Sequence, residues 1–386
     1  MWCTIVRIDP VTKYGRDRYP TREVDMNRSV AFVSLGAALL VGPAAQAQEE
    51  TPLASPQQRA ALFSSHDIIE LTIEAPFKKV FRERSQEPDQ FPAVLWYLDA
   101  DGEKVSIDLK INTRGRFRLR KRTCNFPPIR LDFPKDDVGG TIMAGQNRVK
   151  LVTHCQDKRD DYEQYVLQEY LIYRMYNLLS DVSFSVRLVR ITYVDTEEDR
   201  DPLTKYGFLI EDKDDMAARN GWEAIEDVPM IPPDMFEPLQ ISIVALFQFM
   251  IGNTDWSAYK APDGEPDCCH NTKVVGSMAG PIFSVPYDFD MSGIISTRYS
   301  QVNEGLDIRN VRQRLYRGRC TPQDVLTAGI ELFLEHREGI YELYTDRSEL
   351  DPKVLEKTVK YLDDFYEIIS DERKTEREIE RDCRRI

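Results

Sequence analysis

Acidic and amide side chains follow apolar runs within residues 246–293, where rigid elements can hold such groups in place. Asp255 comes shortly after the first run, Asp288 and Asp290 follow the last one, and Asn271 lies between. Carboxylate and amide oxygens are the ligands that Mg²⁺ and Mn²⁺ prefer, whereas zinc sites use thiolates and imidazoles. Phosphoryl transfer from a Mg-nucleotide needs one Asp for the acceptor hydroxyl, and an Asn and another Asp for the metal.

The order of these residues resembles the atypical protein kinases of the spore-coat (CotH-like) family, and more remotely the HipA-type kinases. In the family pattern a helix runs into G-N-x-D, an Asn follows, and a strand then ends in D-x-D. The chain departs from that pattern by an insert at residues 259–269. The competing interpretation is that the carboxylates merely cap a helix and a turn. The matching positions are Gly252, Asn253, Asp255, Asn271, Asp288 and Asp290.

The resemblance implies a role for each acidic motif. Asp255 would be the catalytic base or would orient the acceptor hydroxyl. Asn271 and Asp288 would bind the metal, and Asp290 would support that site or bind a second ion. The implied cofactors are ATP and Mg²⁺ or Mn²⁺.

The resemblance also implies a set of cofactor-binding residues in the first half of the chain. Arg114 belongs to a segment similar to the K-x-R-G strand of the family. Lys150, on a predicted strand, would contact phosphate, with Lys110 as its rival, although both fit ordinary strand-edge lysines. Glu169, on a predicted helix, would pair with the strand lysine. Glu211 ends a segment similar to the family's Y-G-x-Y-x-x-x-E, which leads into the connector between two lobes.

A run of basic residues follows Arg114 in an otherwise acidic protein. Such a run attracts phosphates or an acidic substrate, or it forms a solvated face of a strand or loop. The sequence leaves both interpretations open. Its members are Arg116, Arg118, Arg120, Lys121 and Arg122.

The elements that must position these residues are strands first, then a helix, more strands and mostly helices. Period-two alternation predicts a strand at residues 67–74 and a hairpin at residues 93–113. Helical spacing predicts a helix over Asp160–Leu179 and another over residues 235–251, capped by Asp234. This order is α+β.

Together with the resemblance, the element order predicts a two-lobed atypical protein-kinase-like fold. A β-rich, nucleotide-binding N-terminal lobe would span residues 61–213. A mostly helical catalytic lobe would span residues 214–386.

The start of the chain has the pattern of a targeting segment. Residues 26–47 combine a short positive region, an apolar run and a small-x-small cleavage site, which predicts a signal peptide. Residues 1–25 fit an over-extended gene start or a leader, and residues 48–60 fit a linker. The apolar run is too short for a stop-transfer helix. We therefore expect export to the periplasm or the cell exterior, with no integral membrane segment after cleavage.

The charge of the chain restricts its partners. The formal net charge is −14, and the predicted cleavage would remove six basic and four acidic residues. Such an acidic protein is a poor general binder of nucleic acid or anionic membranes. A protein substrate, such as a protein of the cell envelope, is the expected partner.

Six cysteines remain after the predicted cleavage, an even number that favours disulfides in an exported chain. Cys268 and Cys269 are expected to take distant partners, because disulfide geometry is demanding. Free thiols are the alternative. There is no C-x-x-C spacing for a zinc site, no P-loop, no G-x-S-x-G and no H-E-x-x-H, so triad and zinc hydrolysis find no support.

The sequence therefore predicts an exported, Mg-ATP-dependent atypical protein kinase that phosphorylates a protein. Two alternatives remain. One is a catalytically inactive kinase-fold protein that serves as a binding or scaffold protein of the cell envelope. The other is a secreted metal-dependent hydrolase that uses the same carboxylates.

Overall fold

The computed structural model describes residues 59–134, 138–262, 264–265, 267–345 and 347–385. The predicted gene start, signal peptide and nearly all of the predicted linker lie outside the described residues. The described part belongs to one compact unit, residues 52–386. Among its residues, no helix has the length and apolar character needed to cross a membrane.

Seven strands close into a barrel in the order β1-β2-β3-β4-β5-β7-β6. Neighbours pair antiparallel, except that β6 pairs in parallel with β1 and thereby closes the barrel. Alternate apolar residues of the strands fill the interior, among them Ile73, Leu95 and Leu151. The strands are β1 (Ile69–Ala75), β2 (Phe91–Leu98), β3 (Lys104–Thr113), β4 (Ile129–Asp132), β5 (Arg148–Val152), β6 (Val186–Asp195) and β7 (Leu203–Ile210).

The closed barrel shows that the prediction of a two-lobed atypical protein-kinase-like fold is wrong. The β-rich half does form strands, but they close into a barrel because β1 pairs in parallel with β6. In this pairing Glu70 of β1 lies opposite Arg190 of β6, 120 residues away. Alternation identifies a strand without identifying its partner, so the sequence pattern carried no sign of this closure. The second half, expected to be mostly helical, also contains a three-stranded sheet, formed by β8 (Glu223–Ala224), β9 (Thr272–Gly276) and β10 (Ile282–Pro286).

Helices cover the outside of the barrel and build a second core with the small sheet. The prediction of a helix over Asp160–Leu179 is confirmed. This helix packs on β6 and β7 and contributes to an apolar cluster that also contains Phe247, Phe289 and Phe365. The helices are α1 (Phe77–Val80), α2 (Asp160–Leu179), α3 (Lys213–Arg219), α4 (Pro238–Ile251), α5 (Gln323–Glu335), α6 (Arg337–Glu342), α7 (Pro352–Ile369) and α8 (Glu372–Thr375).

Helix α4 leads directly into the segment that carries Asp255. It begins three residues later than predicted and is capped by Glu237, not Asp234, because the Glu237 carboxylate accepts from the backbone N–H groups of Leu239 and Gln240. It ends at Gly252, whose φ of 64° lies in the left-handed region. A side chain at Gly252 would collide with the hydroxyl of Tyr361, so only glycine fits this turn.

Three disulfides connect the six cysteines that follow the predicted leader. The expectation that Cys268 and Cys269 take distant partners is wrong, because they bond to each other. The Cys124–Cys155 bond ties the end of the basic segment to the residues before α2. The third bond joins Cys320 to Cys383.

Candidate functional site

The β9–β10 hairpin and the end of α4 bring the acidic motifs together. Thr272 pairs with Pro286 at the open end of the hairpin. The next residue on one strand, Tyr287, donates its backbone N–H to the carbonyl of Asn271 at 3.2 Å. Asn271 donates its side-chain amide to the Asp255 carboxylate at 3.0 Å. A continuous chain of contacts therefore joins the loop after α4 to the segment that carries Asp288.

Asp255 accepts hydrogen bonds from three side chains. His270 Nε2 lies 2.8 Å from Asp255 Oδ1, and Asn303 Nδ2 lies 3.3 Å from the same oxygen. Asn271 Nδ2 reaches the other carboxylate oxygen. Arg317 donates to the backbone carbonyl of Thr254 next to Asp255. The carboxylate is thus fixed in orientation by side chains from two separate segments, residues 270–271 and Asn303.

These contacts set the charge of Asp255 and His270. Burial raises the pKa of Asp255, but hydrogen bonds from His270, Asn303 and Asn271 and the charge of His270 outweigh it, so the pKa is lower than usual. The bond to Asp255 raises the pKa of His270 against the effect of burial. Asp255 is therefore ionised at neutral pH and ready to accept a hydrogen bond or a proton.

Asp288 and Asp290 flank a buried anchor. The ring of Phe289 lies 4.7 Å from that of Tyr173 and 5.6 Å from that of Phe247. The Asp288 backbone N–H donates to the Tyr173 hydroxyl at 2.9 Å. These contacts hold both carboxylates at fixed positions beside the hairpin end.

The guanidinium group of Arg118 lies among three carboxylates. It is 2.8 Å from Asp288 Oδ1, 3.4 Å from Asp290 Oδ2 and 3.5 Å from Glu169 Oε2. Arg118, Glu169 and Asp290 are all buried. Burial, together with the neighbouring carboxylates, raises the pKa of both Glu169 and Asp290 despite the attraction of Arg118. Arg118 therefore neutralises part of a crowded negative cluster.

Two residues of the site have a left-handed backbone. The φ angle of Asn271 is 49° and that of Asp288 is 60°. Asn and Asp adopt this region more readily than other side chains, yet it still costs about 1–3 kcal/mol per residue. Such conformations cluster at functional sites, which supports a role for these two side chains.

A cleft of about 740 Å³ adjoins Tyr287 and is lined by more cations than carboxylates. Burial and the charge of Arg114 lower the pKa of Lys150 in this cleft to about 7. Burial also lowers the pKa of Arg114 and of Lys273. The cationic lining residues are Arg114, Arg130, Arg148, Lys150, Lys213 and Lys273.

The structure brings together only part of the predicted cofactor-binding set. Arg114 and Lys150 line the cleft, whereas Lys110 does not line it. Glu169 pairs with Arg118, so its predicted pairing with Lys150 is wrong. The reason is that Arg118 reaches from the basic segment into the carboxylate cluster, while Lys150 lies over the rings of Phe184 and Tyr287.

The Glu211 carboxylate is held by a buried ion pair and a backbone hydrogen bond. The carboxylate pairs with Arg219 at 2.9 Å and accepts from the Ser185 backbone N–H at 2.8 Å. Both charged side chains are buried, and neither lines the cleft. Arg219, on α3, thus occupies the Glu211 carboxylate, and the cofactor-binding role of Glu211 stays a prediction.

Three site residues lacked a predicted role. His270 directly precedes Asn271, and that adjacency was the available signal. Asn303 is 48 residues away from Asp255 in a segment without a motif, so no pattern marked it. Arg118 belongs to the basic run, and its spacing in the sequence gives no sign that its side chain points inward.

The side-chain oxygens of the site are of the kind that binds Mg²⁺ together with substrate phosphates and water. Among the described residues, no group of three or more His, Cys, Asp or Glu side chains is arranged to hold a metal. Mg²⁺ usually takes one or two carboxylates and completes its shell with substrate phosphates and water. The side-chain oxygens of Asn271, Asp288 and Asp290 are of that chemical kind, and Glu169 Oε1, near Asp288 and Asp290, is buried without a hydrogen-bond partner.

The search against protein-family models and the search against curated proteins both found no match for this chain. A functional assignment must therefore come from the site. An ionised, oriented Asp, a set of hard oxygen donors and an adjoining cationic cleft can together activate a hydroxyl and bind an anionic cofactor.

Proposed function

We propose that the protein is an exported, Mg-ATP-dependent protein kinase that transfers the γ-phosphoryl group of ATP to a hydroxyl of a protein substrate. The observation that carries the proposal is the continuous chain of contacts from Asp255 through Asn271 and Tyr287 to the cationic cleft. The resemblance to the CotH-like kinases rests on the same residues and is part of the proposal. The two-lobed fold expected from that resemblance is not part of the proposal.

The cleft suits a nucleoside triphosphate. Its volume of about 740 Å³ lies within the range of small-molecule sites. Lys150 and Arg114 lie on the barrel side, and Lys273 lies on the hairpin side. Their cationic groups would attract a triphosphate, and Asn271, Asp288 and Asp290 would hold the Mg²⁺ that accompanies it. That ion would offset the charge that develops on the phosphate oxygens.

Asp255 suits the acceptor side of the reaction. An acceptor hydroxyl oxygen would form the new bond to the γ-phosphorus, and the bond from that phosphorus to the β–γ bridging oxygen would break, leaving ADP. The hydroxyl proton would pass to Asp255. Fixed orientation by His270 and Asn303 serves this role, since little other covalent chemistry is required of the protein.

Export is also part of the proposal. The signal-peptide pattern of residues 26–47 supports it, and the three disulfides are compatible with an oxidising compartment. The protein substrate would then belong to the periplasm, the cell envelope or the cell exterior.

One observation favours a second candidate function, that of a catalytically inactive binding or scaffold protein of the cell envelope. Arg118 lies among Asp288, Asp290 and Glu169, where it competes with a metal ion for the same oxygens. If the guanidinium keeps this position, metal-dependent transfer cannot occur. The two candidates differ in one measurable property, because only the kinase transfers phosphate.

Calorimetric titration of Mg-ATP into residues 48–386 tests the cleft. We expect binding, and we expect Lys150→Ala to weaken it about tenfold to a hundredfold, since a charge-assisted hydrogen bond is worth about 1.5–3 kcal/mol. Lys104→Ala is the matched control, because Lys104 is an exposed barrel lysine over the ring of Trp96. Absence of binding, or equal affinity in both variants, would contradict the proposal.

A further inference from the structure

A second group of cationic side chains lies at the end of the barrel where β1 and β6 begin. His66 is near Arg59, Arg174, Arg187 and Arg347, whose charges all act on its imidazole. We call this group the arginine cluster. Arg187 belongs to β6 and Arg174 to α2. The residues that line the cationic cleft include none of these five.

Two arginines form the buried floor of the cluster. Arg187 is 5% exposed and Arg174 is 8% exposed. Nε and Nη1 of Arg187 and Nε of Arg174 are buried without a hydrogen-bond partner. The hydroxyl of Ser185, two residues before Arg187, is also buried without one. Native proteins rarely leave buried donors unpaired, so several donors around one position indicate a missing acceptor.

The described residues supply little compensating negative charge. Asp67 attracts Arg187, and Asp181 attracts Arg59, but no described carboxylate oxygen lies within 4.0 Å of the four arginines of the cluster. Glu211 is nearby, but Arg219 neutralises it. Burial and the four guanidinium charges lower the pKa of His66 to about 4. After burial, the four guanidinium charges are the causes of this shift, in a protein of net charge −14.

We propose that the arginine cluster is a binding site for a tetrahedral oxyanion of the phosphate class. Guanidinium groups offer planar pairs of N–H donors that match phosphate oxygens, and the Ser185 hydroxyl adds a further donor. Arg59, His66 and Arg347 are less buried than Arg174 and Arg187. The ligand is either free phosphate or a phosphorylated group of a partner. This site is independent of the proposed kinase reaction.

The imidazole of His66 provides the test. Its pKa is measured by NMR titration of residues 48–386 in phosphate and in chloride of equal ionic strength, with His66→Gln to assign the signal. We expect phosphate to raise the His66 pKa from about 4 toward its ordinary 6.5 and to raise the melting temperature. An unchanged His66 pKa would overturn the proposal, whatever the melting temperature does.

Variants separate this site from other phosphate binding. Arg187→Gln should lose the response of the His66 pKa, whereas Arg190→Gln should keep it, because Arg190 lies on the same strand but is exposed and pairs with Glu70. Lys150→Ala should also keep the response of the His66 pKa, since Lys150 lines the cleft and His66 does not. Equal responses of Arg187→Gln and the wild type would contradict the assignment. If Arg187→Gln does not fold, the wild-type titration decides.

A second ligand identifies the source of the anion. Titration with a phosphoserine peptide and with inorganic phosphate compares the two through the same His66 signal. Tighter binding of the peptide assigns the site to a phosphorylated partner, and equal or weaker binding assigns it to the free anion. If neither ligand moves the signal, the site does not bind this class of anion.

Discussion

The Nε2 atom of His270 lies 2.8 Å from Oδ1 of Asp255, and the two residues stabilise each other in their charged forms. His270 is adjacent in sequence to Asn271, which binds the other carboxylate oxygen. One short segment after the insert therefore fixes the residue that we propose as catalytic base. This relationship makes the site sensitive to pH.

Replacing His270 by Ala should make stability less dependent on pH. The raised pKa of His270 contributes stability that is complete below its unfolded value of 6.5 and is lost as pH rises through the folded value. The lowered pKa of Asp255 contributes stability above 3.8 that is lost as pH falls through the folded value. Urea unfolding should therefore show a larger loss for His270→Ala at about pH 5.5 than at about pH 9. An equal loss at both pH values would contradict the pairing.

Replacing Arg118 by Met should destabilise the protein strongly. The substitution leaves Glu169 and Asp290 buried without their counter-charge, which typically costs about 3–5 kcal/mol. The loss should be smaller in acid, because both carboxyl groups have raised pKa values and become neutral there. Denaturant unfolding measures the change, and Arg120→Met is the control, since Arg120 is exposed and lies over the ring of Phe117. Similar losses in the two variants would contradict the described network.

Nucleotide binding should take up a proton at Lys150. The pKa of Lys150 is about 7 in the free protein, and a bound triphosphate should raise it. The affinity for Mg-ATP should therefore fall as the pH rises above about 7, and binding at about pH 8 should show uptake of protons in buffers of different ionisation enthalpy. Lys150→Arg should remove this uptake, because Arg stays protonated. Uptake that persists in Lys150→Arg would assign it to another group.

Glu211→Gln should affect stability rather than cofactor binding. It breaks a buried pair with Arg219, for which we expect a loss of about 3–5 kcal/mol. The affinity for Mg-ATP should remain unchanged where the protein is folded. Glu226→Gln is the matched control. Glu226 is exposed and lines the cleft, so its replacement changes a charge at the cleft without breaking a buried pair. A large change of affinity with little change of stability would instead support the predicted cofactor-binding role of Glu211.

The sequence predicted local elements where one strong periodicity was present. Helix α2 shows the full pattern from Asp160 to Leu179, and its bounds agree with the structure. The start of α4 was misplaced, because Pro238 fits the first helical turn and Glu237 caps it. The closure of the barrel was missed, since it depends on a parallel pairing between distant strands that no local pattern encodes.

The candidate site was predictable to the extent that its residues stand at the ends of apolar elements. Asp255, Asn271 and Asp288 satisfy that condition, and the structure joins them through Asn271 and Tyr287. Arg118 and Asn303 do not, because they come from irregular segments whose direction depends on tertiary contacts. Partners of this kind are visible only once the chain is folded.

The most direct test of the proposed reaction is transfer of label from ATP. Residues 48–386 are incubated with Mg²⁺ or Mn²⁺, a mixture of envelope proteins, and ATP labelled separately on its α- and γ-phosphates. Asp255→Asn, which nearly preserves the shape of the side chain, is the matched variant. We predict label in protein from the γ-phosphate only, with loss of transfer but retained Mg-ATP binding in Asp255→Asn. Label from the α-phosphate, transfer that survives in Asp255→Asn, or no transfer by a protein that binds Mg-ATP would contradict the account.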